Sequence, residues 1–159
     1  FNRDEAKIVV RGVPDHPGIA SAILSPIGRA NIEIDMIVQN LSTNGTTDFT
    51  FTVNRTDMDK TMKVLEDEVK DEIGAKEILA NNEVVKVSLV GVGMRSHAGV
   101  ASLMFQTLAE NNINIQMIST SEIKVSVLIQ EQHLEKAVKS LHTAFGLDRE
   151  DGDSKIAGL

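Results

Sequence analysis

With 159 residues, 42% of them apolar and 25% charged, the chain has a globular balance and enough length for one substantial core or two small ones. A net charge of −7, with five Phe as the only aromatic residues, argues against nucleic acid as a partner, because that role needs a basic surface with stacking rings. No apolar run reaches the roughly 20 residues of a membrane helix, no signal-peptide pattern occurs, and zero Cys excludes disulfides and thiolate metal sites. The expected compartment is the cytoplasm, with no membrane partner. The chain opens on Phe1 and reads as a fragment or processed product of a larger parent.

Taken in order, Lys7–Val13 is a Val-rich strand ending in a glycine-containing turn. A helix follows with apolar positions 19, 20, 23, 24 and 27, which fall on one stripe. Pro26 lies inside it, where the missing N–H costs about 3 kcal/mol and a kink is expected. Asn31-Ile32 then opens a strand, with Ile34, Met36 and Val38 on one side and Glu33, Asp35 and Gln39 on the other. A turn at Asn44-Gly45 leads into the alternating strand Asp48–Asn54. The second helix begins near Thr56-Asp57 and stops before Gly74, and Ala75–Ala80 closes the set as a strand.

The same order then repeats. His16, Gly18, Ala20 and Ser21 recur 81 positions later as His97, Gly99, Ala101 and Ser102. That shift also carries Asn31-Ile32 onto Asn112-Ile113 and Met36-Ile37 onto Met117-Ile118. Beyond a shorter connection the shift becomes 76, taking Phe49, Phe51 and Val53 to Val125, Val127 and Ile129. Two copies of one strand–helix–strand–strand–helix–strand unit describe an α+β fold: two ferredoxin-like βαββαβ domains in tandem, each an antiparallel sheet with helices on one face. The expected domains are 6–80 and 84–147, followed by a polar tail at 148–159. The second copy has no evident closing strand of its own.

Catalytic signatures are missing. The glycines of Gly91-Val92-Gly93-Met94-Arg95-Ser96 follow a strand and precede a helix, yet Ser96 stands where a dinucleotide fingerprint needs its third glycine. There is no phosphate loop, no kinase signature set and no His-x-x-x-His pair for a metal. The carboxylates Glu66, Asp67, Glu68, Asp71 and Glu72 read as a solvated helix face, and no residue is assigned a catalytic role.

What the copies share is the turn before each first helix, Asp15-His16-Pro17-Gly18 and Ser96-His97-Ala98-Gly99. Free N–H groups at a helix start attract a carboxylate, glycine permits close approach, and Asp15 beside them can receive an ammonium group. That combination suits the head of a free amino acid. The alternative is that Asp15 is a turn-former or cap and Gly18 a tight-turn residue.

Several blocks carry a resemblance. Val-Pro-Asp-His-Pro-Gly-Ile-Ala (13–20), Asn-Ile-Glu-Ile-Asp-Met-Ile-Val-Gln-Asn (31–40) and Thr-Thr-Asp-Phe-Thr-Phe-Thr-Val (46–53) resemble the first regulatory ACT domain of bacterial aspartokinases. Residues 87–100 and Asn-Ile-Gln-Met-Ile-Ser-Thr-Ser-Glu (114–122) resemble the second, in the type inhibited jointly by lysine and threonine. The resemblance implies an allosteric region that senses L-threonine and L-lysine, dimerises through its ACT domains, and regulates an aspartokinase catalytic domain or chain that uses ATP and Mg. It implies a threonine site at Asp15, Gly18, Ile19, Ala20, Ile32 and Gln39 with Asn114 and Ile115. It implies a lysine site at Met94, Ser96, His97, Gly99, Val100, Gln116, Ser121 and Glu122. It also implies that a segment at or before residues 1–3 closes the second sheet. A constitutive ACT assembly module, or the ACT pair of another amino-acid enzyme, is the alternative.

Overall fold

Two helices recur with the same exit. In the computed structural model, which describes residues 1–41, 44–91, 97–146 and 156–157, α1 (Ile19–Arg29) and α4 (His97–Glu110) are each followed by an Asn in the left-handed region, Asn31 at φ 64° and Asn112 at φ 57°. Asn tolerates this conformation better than most residues. Reversing the chain there lets the Ile32 amide donate to the Ile27 carbonyl (3.2 Å) and the Ile113 amide to the Leu108 carbonyl (2.9 Å), closing helix ends that would otherwise leave carbonyls bare. The Asn-Ile pairs therefore end helices, and the strands begin later, at Ile34 and Met117.

One unit comprises Asp4–Asn82. Its sheet has the order β2-β3-β1-β4, all antiparallel, from β1 (Ala6–Pro14), β2 (Ile34–Leu41), β3 (Thr46–Val53) and β4 (Glu77–Asn81). Ile8, Val10, Phe49, Phe51 and Val53 meet Ile19, Ile23 and Ile27 of α1 and Leu65 and Val69 of the second helix in one core. Burying a side chain of this size contributes roughly 1.5–3 kcal/mol. α1 runs unbroken through Pro26, which is itself buried. The second helical stretch joins α2 (Met58–Val64), one π-helical turn (Leu65–Val69) and α3 (Lys70–Ile73), and ends on Gly74 at φ 71°. The widened turn keeps both Leu65 and Val69 buried, while Glu66, Asp67, Glu68, Asp71 and Glu72 are all exposed.

The other unit comprises Phe1–Arg3 and Glu83–Leu159. Its sheet order is β6-β7-β5-β8, from β5 (Val84–Gly91), β6 (Met117–Thr120), β7 (Lys124–Gln130) and β8 (Ile156–Ala157). Val85, Val87, Leu89, Val125, Val127 and Ile129 pack on Met104 and Leu108 of α4 and Leu134, Ala137 and Leu141 of α5 (Leu134–Ala144). Two separate pieces share the outer edge of β5. Asn2 exchanges backbone hydrogen bonds with Lys86 at 2.8 and 3.0 Å, and Ile156–Ala157 pairs with Gly91 and Val90. On the inner edge β5 and β7 pair without interruption from Val84 to Val90.

Regular alternation fails on β2. Ile34 pairs with Val53, but the next pair is Ile37 with Phe51, so one extra residue bulges between them. Cross-strand partners point to the same face, which puts Ile37 and Gln39 on the helix side with Phe51 and Phe49. Met36 and Val38 turn to the opposite face, and neither joins the helix-side core. The sequence-based grouping of Ile34, Met36 and Val38 on one face is corrected by this bulge.

Candidate functional site

β1 carries a bulge of its own. Its register with β3 shifts between Val10 and Val13, and Gly12 sits there at φ 65°. The Gly12 amide donates to Asp48 Oδ1 at 2.9 Å. After Pro14 the chain leaves the sheet, and the Asp15 amide donates to the Gly45 carbonyl of the β2–β3 hairpin at 3.0 Å. Asn44 Oδ1 braces that hairpin by accepting from the Thr46 amide at 3.2 Å and its hydroxyl at 2.6 Å. Thr47, fully buried, donates its hydroxyl to the Asn40 carbonyl at 2.7 Å.

The turn then delivers Gly18, at φ 91°, as the residue before α1. No side chain caps this helix. Among the described residues, the first-turn amides that meet a backbone acceptor are those of Ile19, on the His16 carbonyl, and Ala22, on the Gly18 carbonyl. The amides of Ala20 and Ser21 point out of the helix end with its positive dipole. Nothing lies within 4 Å of where a Gly18 side chain would begin, so the space over this helix start is open. Asp15 stands exposed beside it.

Gln39 belongs to the same sheet. Phe49 pairs with Val10 on one side and Gln39 on the other, so Gln39 lies two strands from β1, roughly 10 Å across the sheet and on its helix side. Asp15, Gly18, Ile19 and Ala20 thus share one turn and helix start, with Ile19 buried and Ala20 half-buried, while Gln39 stands on the same sheet at the level of Val10, five residues before Asp15. Ile32 does not join them. It is buried in the core beyond the C-terminal end of the 11-residue α1, about 16 Å from the helix start. Asn114 and Ile115 belong to the other unit, where with Phe105, Ala109, Asn112 and Ile113 they line a cleft of about 470 Å³.

The second constellation divides similarly. Met94 and Ser96 lie outside the described residues. His97 opens α4, and Gly99 and Val100 lie in its first turn. Ser121 and Glu122 form the turn after β6, where the Ser121 amide donates to the Lys124 carbonyl at 2.8 Å. Lys124 pairs with Val90, so this turn lies at the end of the sheet where β5 finishes. Gln116 is at the other end of β6, its amide on the Leu128 carbonyl at 2.8 Å; five residues of strand span about 16 Å.

Sequence reading missed Asp48; free amides at this helix start were expected, with Ala20 named and Ser21 not. Among the described residues no group of three or more His, Asp or Glu side chains is placed to hold a metal ion, and no helix is long and apolar enough to cross a membrane. Lys7, partly buried on β1 between Thr52 and Asn81, has its pKa lowered from the ordinary lysine value by desolvation.

The ACT domain family model matches residues 7–69 and again 87–145. The chain belongs to the ACT domain family. Over 91% of its length it is similar to a chain of a crystal structure of aspartokinase alpha and beta subunits, at 57% identity, 95% coverage of that chain and TM-score 0.85. It is similar to the ligand-free regulatory subunit of aspartate kinase from Thermus thermophilus, at 37% identity, 91% coverage of this chain, 94% of that one and TM-score 0.85. An aspartate kinase of Pseudomonas fluorescens is 64% identical over 148 residues, 93% of this chain. This chain spans 36% of that relative's length. The ACT pair is therefore an aspartokinase regulatory region.

Proposed function

We propose that this ACT pair senses L-threonine and L-lysine and, when occupied, lowers the ATP- and Mg-dependent phosphorylation of the aspartate β-carboxylate by the rest of an aspartokinase, in the cytoplasm. The carrying observation is the start of α1, where an open glycine and the outward amides of Ala20 and Ser21 sit beside the exposed carboxylate of Asp15. A free amino acid presents the matching charges. Its carboxylate fits the helix start, its ammonium fits Asp15, and a threonine hydroxyl finds an amide in Gln39. Asn114 and Ile115 enter as threonine contacts on the family resemblance alone.

For lysine the supporting features are the α4 start and the Ser121–Glu122 turn, with Glu122 suited to the far ammonium. Dimerisation is favoured by the edge strands: Ile37 on β2 and Ile118 on β6, equivalent under the 81-residue shift, are 50% and 46% exposed. Calorimetric titration with each amino acid tests the sensing role, and sedimentation tests the dimer. Saturable heat with L-threonine and a dimer are expected; a stable monomer that binds neither amino acid overturns the reading.

A further inference from the structure

We propose that Asp48 is a positioning residue for the threonine turn, clamping the β1 bulge so that the chain reaches α1 in its binding shape. This rests on the Asp15–Ala20 turn being an effector site. The bulge turns the Gly12 amide out of the ladder, and Asp48 Oδ1 receives it at 2.9 Å. Asp48 itself is fixed by its place on β3, opposite Asn40 of β2. Three residues beyond Gly12, the Asp15 amide is taken by Gly45 of the same hairpin. One hairpin thus grips the chain on both sides of Val13-Pro14, immediately before the residues that meet the ligand.

Gly12 cannot be replaced to make the bulge self-supporting. At φ 65° a side chain is strained, and its Cβ would stand 3.0 Å from the Lys76 side chain. The bulge therefore depends on its acceptor. Without the carboxylate the amide is left partly buried with no protein acceptor, and residues 13–17 gain freedom that the ligand must remove on binding.

The second repeat has no carboxylate at the corresponding position. The shift between repeats falls from 81 to 76 across the hairpin, which is five residues shorter there. Lys124 occupies the position of Asp48, and an ammonium cannot accept from an amide. The clamp accordingly acts on the first effector and spares the second.

Asp48→Ala and Asp48→Asn variants of the 159-residue chain distinguish these roles, since Asn retains an oxygen that accepts the Gly12 amide. Two readouts are needed: hydrogen exchange of the Gly12 amide without ligand, and L-threonine and L-lysine affinities by calorimetry. We expect Asp48→Ala to speed Gly12 exchange and weaken threonine on the order of tenfold, with lysine unchanged and Asp48→Asn close to wild type in both readouts. Equal threonine affinity in wild type and Asp48→Ala overturns the clamp while leaving the effector site standing. Wild-type chain that binds no threonine overturns the effector reading itself, and the proposal with it.

Discussion

Gln39 stands opposite Phe49 across the β2–β3 ladder, and that pairing puts a polar amide on the helix side of the sheet, level with Val10 of β1. If this amide reads the threonine hydroxyl, the site should prefer L-threonine to the near-isosteric L-valine. Because Gln39 is exposed, we expect a preference of about tenfold, below that of a fully enclosed hydroxyl site. Gln39→Leu should erase most of the difference by weakening threonine more than valine. Competition calorimetry with the two amino acids reads this directly, and a variant that keeps the full preference excludes Gln39 from the contact.

Gly18 is needed for its backbone. At φ 91°, with open space around its missing Cβ, Gly18→Ala meets no clash and pays only for the left-handed conformation, about 1–2 kcal/mol. Urea unfolding should show that loss. Threonine affinity should fall as well, since the methyl group enters the space left for the ligand. A stability loss near 4 kcal/mol would point to packing that the geometry does not contain.

Ser88 and Ser126, buried in the other unit, share a 2.7 Å hydroxyl–hydroxyl bond between β5 and β7. Ser126→Ala leaves the Ser88 hydroxyl without this partner and should cost about 1–3 kcal/mol, whereas the double replacement by Ala should cost less than the sum of the single changes. Denaturation of the four proteins in the cycle measures the coupling. Strict additivity would mean the pair contributes nothing.

Coupling between effectors should run along β6. Asn114 and Ile115 precede this four-residue strand, and Ser121 and Glu122 follow it, so a ligand ordering one end has already met part of the cost at the other. Threonine should tighten lysine binding by roughly 1–3 kcal/mol, with the reciprocal effect equal. Glu122→Gln should weaken lysine and leave threonine alone almost untouched. Lysine titrations that agree with and without saturating threonine would place joint inhibition outside these domains.

Most of the architecture was legible because a repeat doubles every signal. The stripes at 19, 23 and 27 and at 104 and 108 are buried as their spacing requires, and both strand alternations 49-51-53 and 125-127-129 face the helices. The two bulges were not legible. An extra residue at Asp35–Met36 leaves no mark on composition, yet it reverses the face of everything after it and is what puts Gln39 on the helix side. The Asn-Ile pairs misled for a related reason: Ile is a good strand former, but Asn31 and Asn112 adopt the left-handed turn that stops a helix. At the candidate site, Asp15 and Gly18 could be chosen from residue chemistry, while Asp48 could not, because its role depends on an amide 36 residues away.

The most direct test of amino-acid sensing at the start of α1 is to follow backbone amide resonances of the 15N-labelled chain while L-threonine is added. Saturable shifts should concentrate on Gly18, Ile19, Ala20 and Ser21, with downfield movement of the Ala20 and Ser21 amides as they donate to the carboxylate, and Asp15→Ala should weaken the response on the order of tenfold or more. Saturation with those four amides unmoved, or no saturable response at all, would contradict the site.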